Sequence, residues 1–198
     1  IRDVVFDNIQ LPAAIQTYHM PAQGTDDSYA LNMLSTVLSG GQSSRMYKSL
    51  VDEQKKAYVV QAFPFASEDP GLYIALGLAN VGVSVDELEK GMDEEIKKVQ
   101  EELIPEKEFQ KVRNQIESDY VQGNSSMIGI AEQLANYHVY YGDAGLINNE
   151  LDRFMKITRE DLQRVAKKYL TKENRVVLHY LPKSAQQQPD ETKVKSNN

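Results

Sequence analysis

The chain has 198 residues, enough for one domain with a sizeable core, and its apolar fraction of 41% and charged fraction of 26% are those of an ordinary globular protein. A net charge of −7, with lysines and arginines interleaved among acids, argues against a nucleic-acid surface. No apolar run approaches the length that crosses a bilayer, and the absence of cysteine removes disulfides and cysteine-based zinc sites while remaining compatible with either periplasm or cytoplasm. The chain opens on Ile1 rather than Met, which predicts a fragment or a processed product.

In chain order, Ala13 to Met20 alternates loosely between Pro12 and Pro21 and predicts a strand. Asp26 or Asp27 is placed to cap a helix whose Leu31, Leu34, Val37 and Leu38 repeat at helical spacing until Gly40-Gly41 stops it. Ser43 or Ser44 can cap the next helix, with Met46, Tyr47 and Leu50 as its apolar stripe. Two β-rich runs, Ala57 to Ala66 and Leu72 to Asn80, flank the turn-forming Ser67-Glu68-Asp69-Pro70-Gly71 and predict a hairpin. Ser84-Val85-Asp86-Glu87 fits a capping box for a helix reaching Leu103, and Pro105 suits the first turn of a helix carrying Phe109, Val112, Ile116 and Tyr120. Further helices are expected over Ile128 to Tyr141, Leu146 to Met155 and Asp161 to Tyr169, and a last strand over Val176 to Leu181. The pattern predicts an α+β fold, a mostly antiparallel sheet with helices packed on one face. Residues 1–182 form the predicted domain, and the polar stretch from Lys183 to Asn198 the predicted disordered tail.

The order of several motifs carries a resemblance. Gly40-Gly41-Gln42-Ser43-Ser44-Arg45-Met46-Tyr47, Ala57-Tyr58, Asp69-Pro70-Gly71, Lys111-Val112-Arg113-Asn114 and Ile157-Thr158-Arg159-Glu160-Asp161-Leu162 resemble, in sequence and spacing, the C-terminal domain of M16, insulinase-like zinc peptidases. The resemblance implies a mitochondrial processing peptidase-like metallohydrolase fold. It also implies that Tyr58 binds substrate by contacting the peptide, alongside an arginine whose position is held here by Val51. Arg45, Lys48, Lys55 and Lys56 are the nearby cations that can take over its role, and Val51→Arg is expected to raise activity if that helix face points at the substrate.

Family members hold zinc through H-x-x-E-H in their first domain, and this chain has only His19, His138 and His179, none at that spacing. No catalytic residue and no metal ligand is therefore expected here, and the zinc is expected in a missing N-terminal domain or a partner subunit. His19 and His179 lie in strand-like segments and can be neighbours across the sheet, while His138 reads as an ordinary helix histidine. The acidic stretch from Asp86 to Glu102 reads as a solvated face with pairs such as Glu94 with Lys98. Ser43 and Ser44 read as caps rather than nucleophiles, and Gly40-Gly41 as a helix stop rather than a hinge. Two functional readings follow. In one, the chain closes the peptide-binding chamber of a zinc metallopeptidase and presents its hairpin edge and Tyr58; in the other it is a non-catalytic scaffold or assembly subunit of the same descent. Its expected partners are a peptide, the N-terminal domain or partner subunit, and further copies in a homo-oligomer.

Overall fold

The computed structural model describes residues 1–187. Five strands form one sheet in the order β1-β5-β2-β4-β3: β1 is Arg2–Asp7, β2 Ala13–Met20, β3 Ala57–Phe65, β4 Gly71–Ala79 and β5 Arg175–Pro182. All neighbours are antiparallel except β1 and β5, which run parallel. The predicted hairpin is β3-β4, with Ala62 opposite Ala75 and Phe65 opposite Leu72. Strand β1 is not apparent in the sequence, because Arg2-Asp3-Val4-Val5-Phe6-Asp7 is an edge segment without a buried face.

The helices are α1 (Asp26–Ser39), α2 (Val85–Glu101), α3 (Glu106–Gly123), α4 (Met127–Tyr141), α5 (Glu150–Lys156) and α6 (Arg159–Tyr169), with a π-helical segment over Tyr47–Glu53. The predicted helix Leu146 to Met155 is instead a 3-10 turn, Ala144–Asn148, followed by α5. Thr25 rather than Asp26 or Asp27 caps α1, its hydroxyl accepting from the Ser28 N–H, so the two aspartates occupy the first turn, where the helix dipole favours them. Ser84 and Glu87 form the expected capping box on α2, and Thr158 with Asp161 forms another on α6. The predicted tail starts with a 3-10 turn over Lys183–Gln187, and the rest of it lies outside the described residues.

Among the described residues, helices cover one sheet face only. Tyr18, Met20, Val60, Ala62, Tyr73 and Ala75 point into that core, where α1 contributes Leu31, Leu34 and Leu38 and α2 contributes Leu88, Met92 and Ile96. Among the described residues nothing covers the opposite face, which is mostly apolar but includes Thr17, His19 and Gln61. Phe63, Phe65, Leu72, Ile74, Leu76 and Leu78 line up across β3 and β4, and Ile15 and Leu178 carry the surface over β2 and β5. None of these eight is buried, and Phe65 is 63% exposed. Helix α4 is also lightly held: among its residues only Tyr137 is buried, while Met127, Ile128 and Val139 stand in solvent.

Strand β3 is a sheet edge, and half of it is closed. The Ser39 hydroxyl at the end of α1 accepts from the Ala62 N–H at 2.7 Å and donates to the Ala62 carbonyl at 3.0 Å. By the alternation of the ladder, Pro64 presents its backbone in the same direction and has no N–H to offer. Both devices protect an edge against unwanted strand addition.

Candidate functional site

Tyr58 stands at the open end of that edge and is 68% exposed. Three irregularities of the backbone deliver it there. The first is the π-helical segment, in which the Gln54 N–H donates to the Ser49 carbonyl at 2.9 Å and the Gln54 side-chain amide donates to the Ser49 hydroxyl at 2.7 Å. Leu50 seats this segment against α2 at Gly91, where a Cβ would lie 2.6 Å from the leucine side chain. The second is Lys55, whose φ of 53° makes it the one non-glycine residue at positive φ among the described residues. The third is a register break between Ala57 and Val59, a β-bulge that leaves Tyr58 unpaired with β4 and turns it outward. Short π turns, left-handed non-glycine residues and edge bulges each concentrate at functional sites. Their succession before one exposed tyrosine makes it a candidate independently of any sequence pattern.

The cations expected to replace the missing arginine are placed differently. Val51 is half-buried and packs against the core, so its position faces inward. Arg45 grips Glu108 of α3 through two hydrogen bonds of 3.0 and 2.8 Å and is held there. Lys48 and Lys55 are exposed and Lys56 half-buried. Ser44 lies at the start of the helical turn, but its hydroxyl donates back to the Gly41 carbonyl at 2.6 Å rather than accepting from the helix, and Ser43 accepts from Lys111. Gly40 ends α1 with its N–H on the Thr36 carbonyl at 2.9 Å, and Gly41 follows at a φ of 92°.

His19 and His179 are not the cross-strand neighbours that the sequence suggests. His179 pairs across the sheet with Ala14, not with His19, which lies further along β2 on the exposed side. His138 is exposed near the end of α4. His179 is instead buried in a charged network that sequence reading missed, having treated the face of α2 as solvated. Glu89 is buried on that helix, and its two carboxylate oxygens each accept from the Arg2 guanidinium at 2.6 Å. The Nε2 of His179 lies 2.7 Å from the same carboxylate, and Arg175 bridges Glu89 and Asp93. Gln16 donates to Asp93 at 2.8 Å and accepts from the Tyr18 hydroxyl at 2.9 Å. Burial pushes the Glu89 carboxyl up, but the hydrogen bonds from Arg2 and His179 outweigh it and hold the group below its ordinary value. Burial raises the Tyr18 phenol to about 12. Elsewhere on α2, Lys98 pairs at 2.6 Å with Glu95, itself buried, rather than with Glu94.

Asp86, Glu89 and His179 bring possible ligand atoms together. The grouping does not suit a metal ion. Asp86 approaches Nδ1 of the ring at 3.9 Å while Glu89 sits on Nε2, so the carboxylates flank the imidazole instead of converging with it. Arg2 also lies 3.2 Å from Nε2, placing a fixed positive charge where a cation would go. The network is a structural clamp joining α2 to β1, β5 and β2. The signal for it was Glu89 lying one turn before Asp93, on the stripe next to Leu88 and Met92.

Comparison with known proteins agrees with this picture. The family model described as the peptidase M16 inactive domain matches residues 2–116. The chain is 26% identical over 163 residues to the zinc protease PqqE of Helicobacter pylori, covering 82% of this chain and 36% of that protein. The structure of a protease from H. pylori superposes with a TM-score of 0.85 at 22% identity, over 91% of this chain and 44% of that one. The inactive peptidase domain of a putative zinc protease from Bordetella parapertussis superposes with a TM-score of 0.78 at 24% identity, over 89% of this chain and 96% of that one. The chain therefore spans about a third of the curated relative's length and nearly all of a separately crystallised domain. By the family match and the bare-faced sheet together, this chain belongs to the M16 peptidase family and corresponds to its inactive domain.

Proposed function

We propose that this chain is the C-terminal domain of an M16-like zinc metallopeptidase, closing the peptide-binding chamber while another domain or subunit supplies the zinc site. The apolar sheet face carries the reading. A surface running from Phe65 to Leu178 without a helix over it is the face of a module that docks, and relatives more than twice as long have the chain to cover it. Docking there leaves the helices outside and keeps Tyr58, on the edge strand, beside the junction. Its phenol then donates a hydrogen bond to a peptide carbonyl, or to the oxyanion that develops when that carbonyl is attacked. The closed half of β3 limits pairing with an extended peptide to the stretch around Tyr58 and Val60.

The scaffold reading draws support from one observation, the core-packed Val51 with Arg45 locked to Glu108, so that neither position offers Tyr58 a free guanidinium. The two readings part in the full polypeptide. Upstream sequence containing H-x-x-E-H and a later glutamate is expected under the first. Leu76→Asp places a charge in the middle of the bare face. It should leave the melting temperature of this chain within the range of a surface substitution, about 0.5 kcal/mol, while separating the halves in limited proteolysis and abolishing peptide turnover. Full turnover with Leu76→Asp would refute docking through this face.

A further inference from the structure

We propose that Asn80 is a positioning residue that holds Tyr58 in its outward setting, a role resting on the reading of Tyr58 as the peptide contact. Lys55 occupies a left-handed conformation that a lysine keeps only when its surroundings impose it. Asn80, immediately after β4, supplies that constraint. Its side-chain amide donates to the Lys55 carbonyl at 3.1 Å and its backbone N–H donates to the Lys56 carbonyl at 2.9 Å. Its side-chain oxygen accepts from the Val81 N–H at 2.9 Å, and its carbonyl accepts from the Val83 N–H at 3.0 Å. Every polar group of Asn80 is thus committed, two of them to the turn before β3 and two to the turn after β4.

The chain on either side of this turn is already fixed. Upstream, Gln54 is bonded twice to Ser49 and Leu50 is wedged on Gly91; downstream, β3 is in register with β4 from Val59 onward. Lys55 and Lys56 are the links between these anchors, and the peptide plane that Asn80 grips sets how the chain enters the bulge at Tyr58. Without the side-chain donor, Lys55 relaxes toward negative φ and rotates that plane, carrying the tyrosine with it. Asparagine serves where aspartate does not, because a carboxylate offers no donor to the Lys55 carbonyl.

The test uses the full polypeptide that contains this chain, with turnover of an internally quenched fluorogenic peptide mixture and the fluorine resonance of 3-fluorotyrosine at position 58. Asn80→Ala and Asn80→Asp should each lower turnover roughly threefold to tenfold, the factor that one neutral hydrogen bond is worth. Combining Asn80→Ala with Tyr58→Phe should cost nothing beyond Tyr58→Phe alone, because Asn80 acts through the tyrosine. Lys55→Gly should bring Asn80→Ala up to the activity of Lys55→Gly alone, since glycine holds positive φ unaided. The fluorine signal should shift or broaden in Asn80→Ala and return with Lys55→Gly. Losses that multiply with Tyr58→Phe, or failure of the glycine rescue, would overturn the proposal by showing that Asn80 acts on the fold at large. If Tyr58→Phe leaves turnover intact, the peptide-contact reading fails. The fluorine signal then decides the positioning role alone, and an unchanged resonance in Asn80→Ala refutes it.

Discussion

Tyr58→Phe is the substitution that most directly asks what the site is for. The phenol is exposed and makes no hydrogen bond among the described residues, so deleting its oxygen leaves no buried group unpaired. Stability should stay within about 0.5 kcal/mol. The effect on turnover depends on what the hydroxyl meets. A donor to an oxyanion in a dry, preorganised site is worth about 2.7–4 kcal/mol, or two to three powers of ten in kcat. A donor to a neutral carbonyl in a solvated position is worth about 0.5–1.5 kcal/mol, or about twofold to tenfold. The side chain is 68% exposed in this chain, and Val51 provides no cation to share the charge, so the expected loss lies near the junction of the two ranges, about tenfold. A fall in kcat with unchanged KM would place the bond in the transition state, whereas a rise in KM alone would place it in substrate binding. The assay is steady-state turnover in the full polypeptide, paired with a melting curve. Unchanged turnover, or a loss of stability above about 1 kcal/mol, would refute the reasoning and leave Tyr58 a packing residue.

Val51→Arg should not repair the site. The valine gives up a core contact, so a loss of about 1 kcal/mol and no gain in turnover are expected; a melting curve and the same peptide assay check both. Glu89→Ala should destabilise the chain by about 3 kcal/mol, because Arg2 and Arg175 lose the carboxylate that neutralises them and His179 loses its buried hydrogen-bond partner, and urea denaturation of the variant measures it. Acid should weaken the fold through Glu89 and Asp27 together. The Asp27 carboxyl is pushed up by burial but pulled down further by Lys168, Tyr169 and Arg164, to about 2. Since both folded values are depressed, their stabilisation is complete above the ordinary carboxylate range, near pH 4, and is lost as pH falls through the folded values. Arg164 and Lys168 are about half exposed, so the share of Asp27 is discounted for solvent to about 1 kcal/mol, and Asp27→Asn should flatten the acid limb of the stability curve between about pH 4 and 2.

Much of the fold was legible because local chemistry and burial agree. The β3-β4 hairpin follows from two β-rich runs around Asp69-Pro70-Gly71, and α2 from a capping box that the structure reproduces. The readings failed where one residue answers to two surroundings. Asp26 and Asp27 look like caps, but Thr25 has the extended backbone a cap needs. Glu89 looks like a solvent residue until β1 and β5 bring Arg2 and Arg175 over it, partners far away in sequence that no local window contains. A π turn uses the same residue types as an α turn, so Tyr47–Glu53 reads as ordinary helix even though its wider winding is part of what sets Tyr58.

The bare sheet face had a signal that periodicity alone conceals. Strand β4 reads Gly71-Leu72-Tyr73-Ile74-Ala75-Leu76-Gly77-Leu78-Ala79, with no polar residue turned to either side except the Tyr73 hydroxyl. A strand with one wet face alternates apolar and polar, whereas one covered on both faces is apolar throughout. β4 belongs to the second kind, yet in this chain only the small residues and Tyr73 are covered, by α2 packed close on Gly77, while Leu72, Ile74, Leu76 and Leu78 are left partly open. The composition of a single strand thus anticipates a second layer that the described residues do not provide. The neighbouring edge strand β3 carries the Ser39 clip and Pro64 against stray pairing and, among the described residues, leaves open the end where the bulge turns out Tyr58, as the proposed docking by the face with a peptide at one corner requires.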